Sequence, residues 1–163
     1  MSEREHYIKL HKQLHEQSVL HFTGKSLRKY IETIDGLIEK YQCNTILDYG
    51  CGKAQFWPTQ WHGKIQGYDP AYEKFNTEPT NADIVICTDV MEHIPLSEID
   101  NILKHIHSLA NKWTFFAIDT KKAKKRFSDG SNCHVTVQPP EWWREKLKEH
   151  CPNHTVQFEG LQC

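Results

Sequence analysis

The sequence predicts an α/β fold in three layers, with a mostly parallel sheet covered by helices on both faces. Three observations lead there. Short apolar runs alternate with stretches of helical periodicity along most of the 163 residues. The first of these runs, Ile46-Leu47-Asp48-Tyr49, breaks into a glycine-rich turn, Gly50-Cys51-Gly52. Polar residues stand at the carboxyl ends of four runs (48–52, 69, 88–93 and 119), the edge where open parallel sheets bind ligands.

The elements follow in order. Residues 3–21 are polar with scattered apolar positions and read as a helix. A second helix at 26–41 carries Leu27, Tyr30, Ile31, Ile34, Leu37, Ile38 and Tyr41 at helical spacing. Strands are expected at 45–49 and 64–68. Pro70 and Pro79 make 70–81 mostly loop. The run at 82–88 is the strongest strand signal. Ser97 is a fitting N-cap for a helix at 98–110, whose Ile99, Ile102, Leu103, Ile106 and Leu109 form one apolar face. A strand at 113–118 precedes a long polar loop, 120–138. Pro139 and the acid after it open a helix at 139–150, and 154–159 supplies a last strand.

Bulk properties narrow the function. The length suits one domain, with 1–41 as an N-terminal helical lid and 42–163 as the core. A formal charge of -1 gives no global field for nucleic acid or membrane. The start of the chain is polar, and no apolar run approaches the roughly 20 residues that cross a bilayer. Six cysteines, at 43, 51, 87, 133, 151 and 163, form no Cys-x-x-Cys pair. They suggest neither a zinc site nor a disulfide framework, so the chain reads as cytoplasmic and reduced.

The turn and the acid that follows suggest a nucleoside-bearing cofactor. Asp69 closes the second strand about twenty residues on, the spacing of a carboxylate that grips ribose hydroxyls. A dinucleotide fingerprint needs a third glycine, and Lys53-Ala54-Gln55-Phe56 supplies none. Gly24-Lys25-Ser26 looks like the tail of a phosphate-binding loop, but Val19 stands where that loop requires glycine.

The pattern Asp48-x-Gly50-x-Gly52-x-Ala54 resembles motif I of class I S-adenosylmethionine (SAM) methyltransferases, with Ala54 in place of a usual glycine. Asp69 and the run from Ala82 to His93 match that family's second and fourth strands, and the likeness covers about residues 26–150. It implies a Rossmann-like methyltransferase fold with a reduced sheet: twelve residues after Asp69 cannot hold the usual helix and third strand, and the C-terminal strands are shortened or missing. By the same resemblance Asp48, Gly50, Cys51 and Gly52 would hold the amino-acid end of SAM. Asp69 would take the ribose, and Thr88 and Asp89 would line the methionine side. An open adenine pocket, weak cofactor binding or completion by a homo-oligomer would follow. A non-catalytic SAM-binding protein and an NAD-dependent enzyme are the alternatives.

Asp89-Val90-Met91-Glu92-His93 is a second constellation. If a helix begins at Asp89, then Asp89, Glu92 and His93 share one face. Two carboxylates and an imidazole suit a divalent cation such as Mg, Mn or Zn, and His134 offers a fourth ligand. The set resembles the acid-x-x-Glu-His…His arrangement of metal-dependent O-methyltransferases, which act on ubiquinone precursors or on the terminal 2′-hydroxyl of small RNAs. It implies an oxygen acceptor, small or terminal, with Glu92, His93 and His134 positioning or deprotonating it. Nitrogen is the less favoured acceptor. His134 can also serve as a base without metal, or the Glu-His pair as a helix cap. The basic run 121–126 reads as a solvated loop that could draw in an anionic acceptor. His11, His15, His105 and His107 read as surface residues, with a catalytic role for His15 as the outside alternative.

Overall fold

The computed structural model describes residues 1–160. Cys163 lies outside them. Five strands form one sheet: β1 Ile46–Tyr49, β2 Ile65–Tyr68, β3 Ala82–Thr88, β4 Ala110–Asp119 and β5 His154–Glu159. Their order is β2-β1-β3-β4-β5, and every pairing is parallel. All carboxyl ends therefore meet at one edge. The strand order reverses between β1 and β3, which opens the crevice where such sheets take ligands.

Alternation along β3 explains the layers. Ile84 and Ile86 face one side, where Leu27, Tyr30 and Ile34 cover them. Val85 and Cys87 face the other, beneath Ile102, Leu103, Ile106, Trp143 and Leu147. The first cover belongs to a 3-10 turn, Lys25–Lys29, and helix α2, Ile31–Lys40. The second belongs to helices α3, Ile99–Leu109, and α4, Pro140–His150. Helix α1, Glu3–Gln17, stands apart from both faces. Its Leu10 and Leu14 pack with Phe127 and Cys133 of the long loop, so α1 spans the carboxyl edge of the sheet.

Some local expectations change. The second helix divides at Tyr30 into the 3-10 turn and α2. α3 is not capped by Ser97: Pro95 starts a 3-10 turn, Leu96–Glu98, that leads into the helix, and the Ser97 hydroxyl instead donates to Glu3 of α1. Between β1 and β2, and between β2 and β3, only 3-10 turns occur, at Thr59–Trp61 and Glu73–Phe75. Thus β2 is the sheet edge among the described residues, as a reduced sheet requires. The five described cysteines are unpaired and buried. No described helix is long and apolar enough to cross a membrane.

Candidate functional site

The turn after β1 is left-handed at Gly50 (φ 79°), Gly52 (φ 55°) and Ala54 (φ 51°). The protein itself demands the two glycines. A Cβ on Gly50 would lie 2.3 Å from a Val90 methyl, and one on Gly52 would lie 2.2 Å from the Phe22 carbonyl oxygen. The turn's amides are also taken. Gly50 and Cys51 donate to the Tyr68 carbonyl at 2.7 and 3.1 Å, and Lys53 donates to Phe22 at 2.7 Å. Gly52 donates to Asp69 Oδ2 at 3.0 Å, while Ala71 donates to Asp69 Oδ1 at 2.9 Å. Asp69 is thus locked at the end of β2.

Asp48 lies behind this turn rather than in the cavity. It is buried and accepts a 2.7 Å bond from Trp57 Nε1. Burial pushes its carboxyl up to about 7, against the Trp57 bond and with Asp69's charge adding. In front of the turn a cavity opens. Gly50, Cys51, Gly52, Asp69, Thr88, Asp89 and His93 line one side, and Tyr7, His11, His15 and Phe22 line the other.

The second constellation assembles without the expected helix at Asp89. That residue is left-handed (φ 59°) and its amide donates to the Ala117 carbonyl at 2.9 Å. The chain then passes through a 3-10 turn, Met91–His93. The turn still gathers the side chains: one ligand atom each from Asp89, Glu92, His93 and His134 lie within 4.8 Å of one another. Glu92 is fully buried. Its Oε1 accepts the Asp119 amide at 2.9 Å, and its Oε2 has no partner among the described residues. His134 Nδ1 faces the Lys121 carbonyl at 2.5 Å, so that nitrogen carries the proton and Nε2 presents its lone pair.

Electrostatics separate the two carboxylates. Burial, then Asp89's charge, raise the Glu92 carboxyl well above its usual range. Desolvation also opposes ionisation of Asp89, yet His93, whose Nε2 stands 3.8 Å from Oδ1, holds its carboxyl low, with Glu92 and His134 adding. A cation at this cluster would favour the ionised form of Glu92 that burial opposes.

Residues 11–158 match the family model described as a methyltransferase domain. The chain belongs to this methyltransferase family. No curated protein and no solved structure matches it significantly. The family implies SAM as the cofactor, and the all-parallel sheet agrees with a Rossmann-like methyltransferase fold.

Of the residues singled out in the sequence of this methyltransferase domain, Gly50, Cys51, Gly52, Asp69, Thr88, Asp89 and His93 reach the cavity. Asp48, Glu92 and His134 stand behind its lining, the last two as members of the four-residue cluster. Three of the four surface histidines need correction. His11 and His15 are not surface residues, because docking of α1 on the long loop turns them into the cavity. His11 Nδ1 bonds the Tyr7 carbonyl at 2.8 Å, and its ring packs 5.4 Å from that of His93. Burial, then His93's charge, lower its pKa to about 4. His105 is half-buried against the Tyr49 hydroxyl at 2.9 Å, whereas His107 is exposed as expected. A legible signal existed for α1: Arg4, Ile8, His11 and His15 follow one helical stripe, and all four line the cavity.

Lys53 was not anticipated at all. Its ammonium donates to the carbonyls of His15, Ser18 and His21 at 3.3, 2.7 and 2.7 Å. It thereby caps the end of α1 and ties it to the glycine turn.

Proposed function

We propose that this domain is a class I methyltransferase that moves the methyl group of SAM to an oxygen, with a divalent cation held by Asp89, Glu92, His93 and His134. The observation that carries this reading is the Glu92 carboxylate, fully buried with one oxygen bonded and the other unpartnered among the described residues. Leaving such an oxygen unmet costs about 1–3 kcal/mol, and a cation at the cluster meets it. The donor set of two carboxylates and two imidazoles suits that role.

Oxygen acceptors have most to gain. Methyl transfer is an in-line displacement at a carbon already activated by sulfonium, so the protein aligns the acceptor and removes its proton. A cation lowers the pKa of a hydroxyl and orients it. The cluster sits at the end of β3, beside the methionine side of the expected cofactor position. Lys121, Lys122, Lys124 and Arg126 are exposed on the loop that carries His134, which favours an acceptor with negative charge near its hydroxyl.

Elemental analysis of purified protein tests the cation, with His93→Ala and His134→Ala as controls. One metal per chain is expected, absent from both variants. Turnover, read as S-adenosylhomocysteine released in the presence of phenolic acceptors or RNA ends, should vanish with chelator and return with added cation. Full turnover after chelation would remove the metal from the mechanism, and transfer to amines alone would remove oxygen.

A further inference from the structure

Helix α1 brings a buried imidazole to the one acid that closes β2. The His15 side chain is 4 % exposed, and its Nε2 lies 3.8 Å from Asp69 Oδ2. Its ring stacks on Tyr72 (centroids 5.0 Å apart, 22° between planes) and tilts against Phe22 at 4.9 Å. Nδ1 is buried with no partner among the described residues. Tyr72 and Phe22 fix the ring plane, while Lys53 grips the His15 carbonyl from the glycine turn. The imidazole is therefore held in place by groups that do not satisfy its nitrogens.

The separation from Asp69 is informative. At 3.8 Å the two atoms are too far apart for a direct hydrogen bond, which needs about 2.7–3.2 Å. They suit a shared third atom: an oxygen off the line between them can stand at hydrogen-bond distance from both. That oxygen must accept from imidazole N–H and donate to carboxylate. A hydroxyl does both at once. Asp69 is already oriented by the amides of Gly52 and Ala71, one on each oxygen, and keeps lone pairs for another donor.

We infer that His15 and Asp69 together receive one hydroxyl of the cofactor ribose, so that α1 supplies the nucleoside wall this reduced sheet lacks. The inference rests on the SAM-binding reading above and adds to it a residue from outside the sheet. His15 is a specificity residue for the nucleoside, and its contribution depends on α1 being docked. Lys53, which joins the turn to the end of α1, couples the two.

The test is equilibrium binding of S-adenosylhomocysteine and its 2′-deoxy and 3′-deoxy analogues to the full chain. The variants are His15→Phe, which keeps the stack on Tyr72 without a ring nitrogen, and His15→Gln, whose amide nitrogen can replace Nε2. His15→Phe is expected to weaken S-adenosylhomocysteine about ten-fold. It should leave the analogue that lacks the bridged hydroxyl within about two-fold, and His15→Gln should recover most of the loss. Unchanged affinity in His15→Phe overturns the inference, and so does an equal loss for all three ligands, which would mark the ring as packing alone. Either outcome leaves the methyltransferase reading standing. Failure of the wild-type chain to bind any of the three overturns both.

Discussion

The two halves of the cavity differ in how their polar groups are satisfied. On the half proposed for the cofactor, each amide from Gly50 to Lys53 already has a partner within the protein, and both Asp69 oxygens accept one. On the half proposed for the acceptor, Glu92 Oε2 and His93 Nδ1 are buried without partners among the described residues, and His134 keeps Nε2 free of the bond that its Nδ1 makes to Lys121. The first half is a finished scaffold that a ligand meets through its shape. The second is an incomplete one, and buried polar groups left incomplete are costly. The glycine turn is thus satisfied from within the protein, whereas the Glu-His cluster keeps buried polar atoms that no described residue meets. His15, whose Nδ1 has no partner among the described residues, is the exception beside the glycine turn.

The largest test of this contrast is Glu92→Gln. The substitution keeps the shape and the bond from the Asp119 amide but removes the charge. If the acceptor half needs a cation, turnover should fall about 100-fold, close to 2.7 kcal/mol in the barrier. Affinity for S-adenosylhomocysteine, measured by calorimetry, should stay within about two-fold. A parallel loss of cofactor affinity would break the contrast, because the halves would then act as one.

Gly52→Ala probes the finished half. Its new methyl would meet the Phe22 carbonyl oxygen at 2.2 Å in a left-handed backbone. Backbone against backbone cannot give way cheaply, so a loss of about 3 kcal/mol is expected, or roughly 6–12 °C in Tm. A Tm within about 2 °C of wild type would mean that the 21–24 segment is not seated on the turn.

Much of this was legible in the sequence, for a physical reason. Parallel strands buried on both faces need continuous apolar runs, so 82–88 announces β3 with the observed bounds. The cluster at 89–93 with His134 is also readable, since strand order delivers both segments to one edge. The purpose of the glycines is less readable. Gly50 and Gly52 signal a tight turn, but only the folded chain reveals that Val90 and Phe22 press on them. α1 is the clearest gap. Its docking is a tertiary event between two polar segments: the stripe Arg4, Ile8, His11 and His15 can be read as one helical face, but its polarity does not say that this face is the covered one.

Asp48→Asn separates scaffold from ligand site through pH. Burial raises the folded pKa of Asp48 to about 7, above the unfolded value of about 3.9. The folded state then holds more protons than the unfolded state between those values, so wild-type stability from this group is lost as pH rises from 4 to 7. Asn keeps an oxygen for Trp57 and has no charge to bury. The variant should exceed wild type by about 4 kcal/mol at pH 8, with the difference vanishing near pH 4, in urea unfolding followed across that range. His11 acts with the opposite sign. Its folded pKa of about 4 lies below the unfolded value of about 6.5, so its contribution falls as pH drops through that window. Comparing variant with wild type at each pH cancels it. A pH-independent difference would show that Asp48 stays ionised in the fold.

The smallest effect is expected at Ala54, where the family's usual third glycine is absent. Its φ of 51° is left-handed, a conformation that costs a side-chain-bearing residue about 1–2 kcal/mol. Ala54→Gly relieves this strain but gives the unfolded chain more freedom, which offsets about 0.4–1 kcal/mol. A net gain of about 0.5 kcal/mol should appear as a rise of roughly 1–2 °C in Tm. The Ala54 amide already bonds the Cys51 carbonyl at 3.0 Å, so the turn keeps its shape and cofactor affinity should not change. A gain in affinity for S-adenosylhomocysteine from this substitution would mean that the turn is not finished, and that strain at Ala54 is held in place until the cofactor binds.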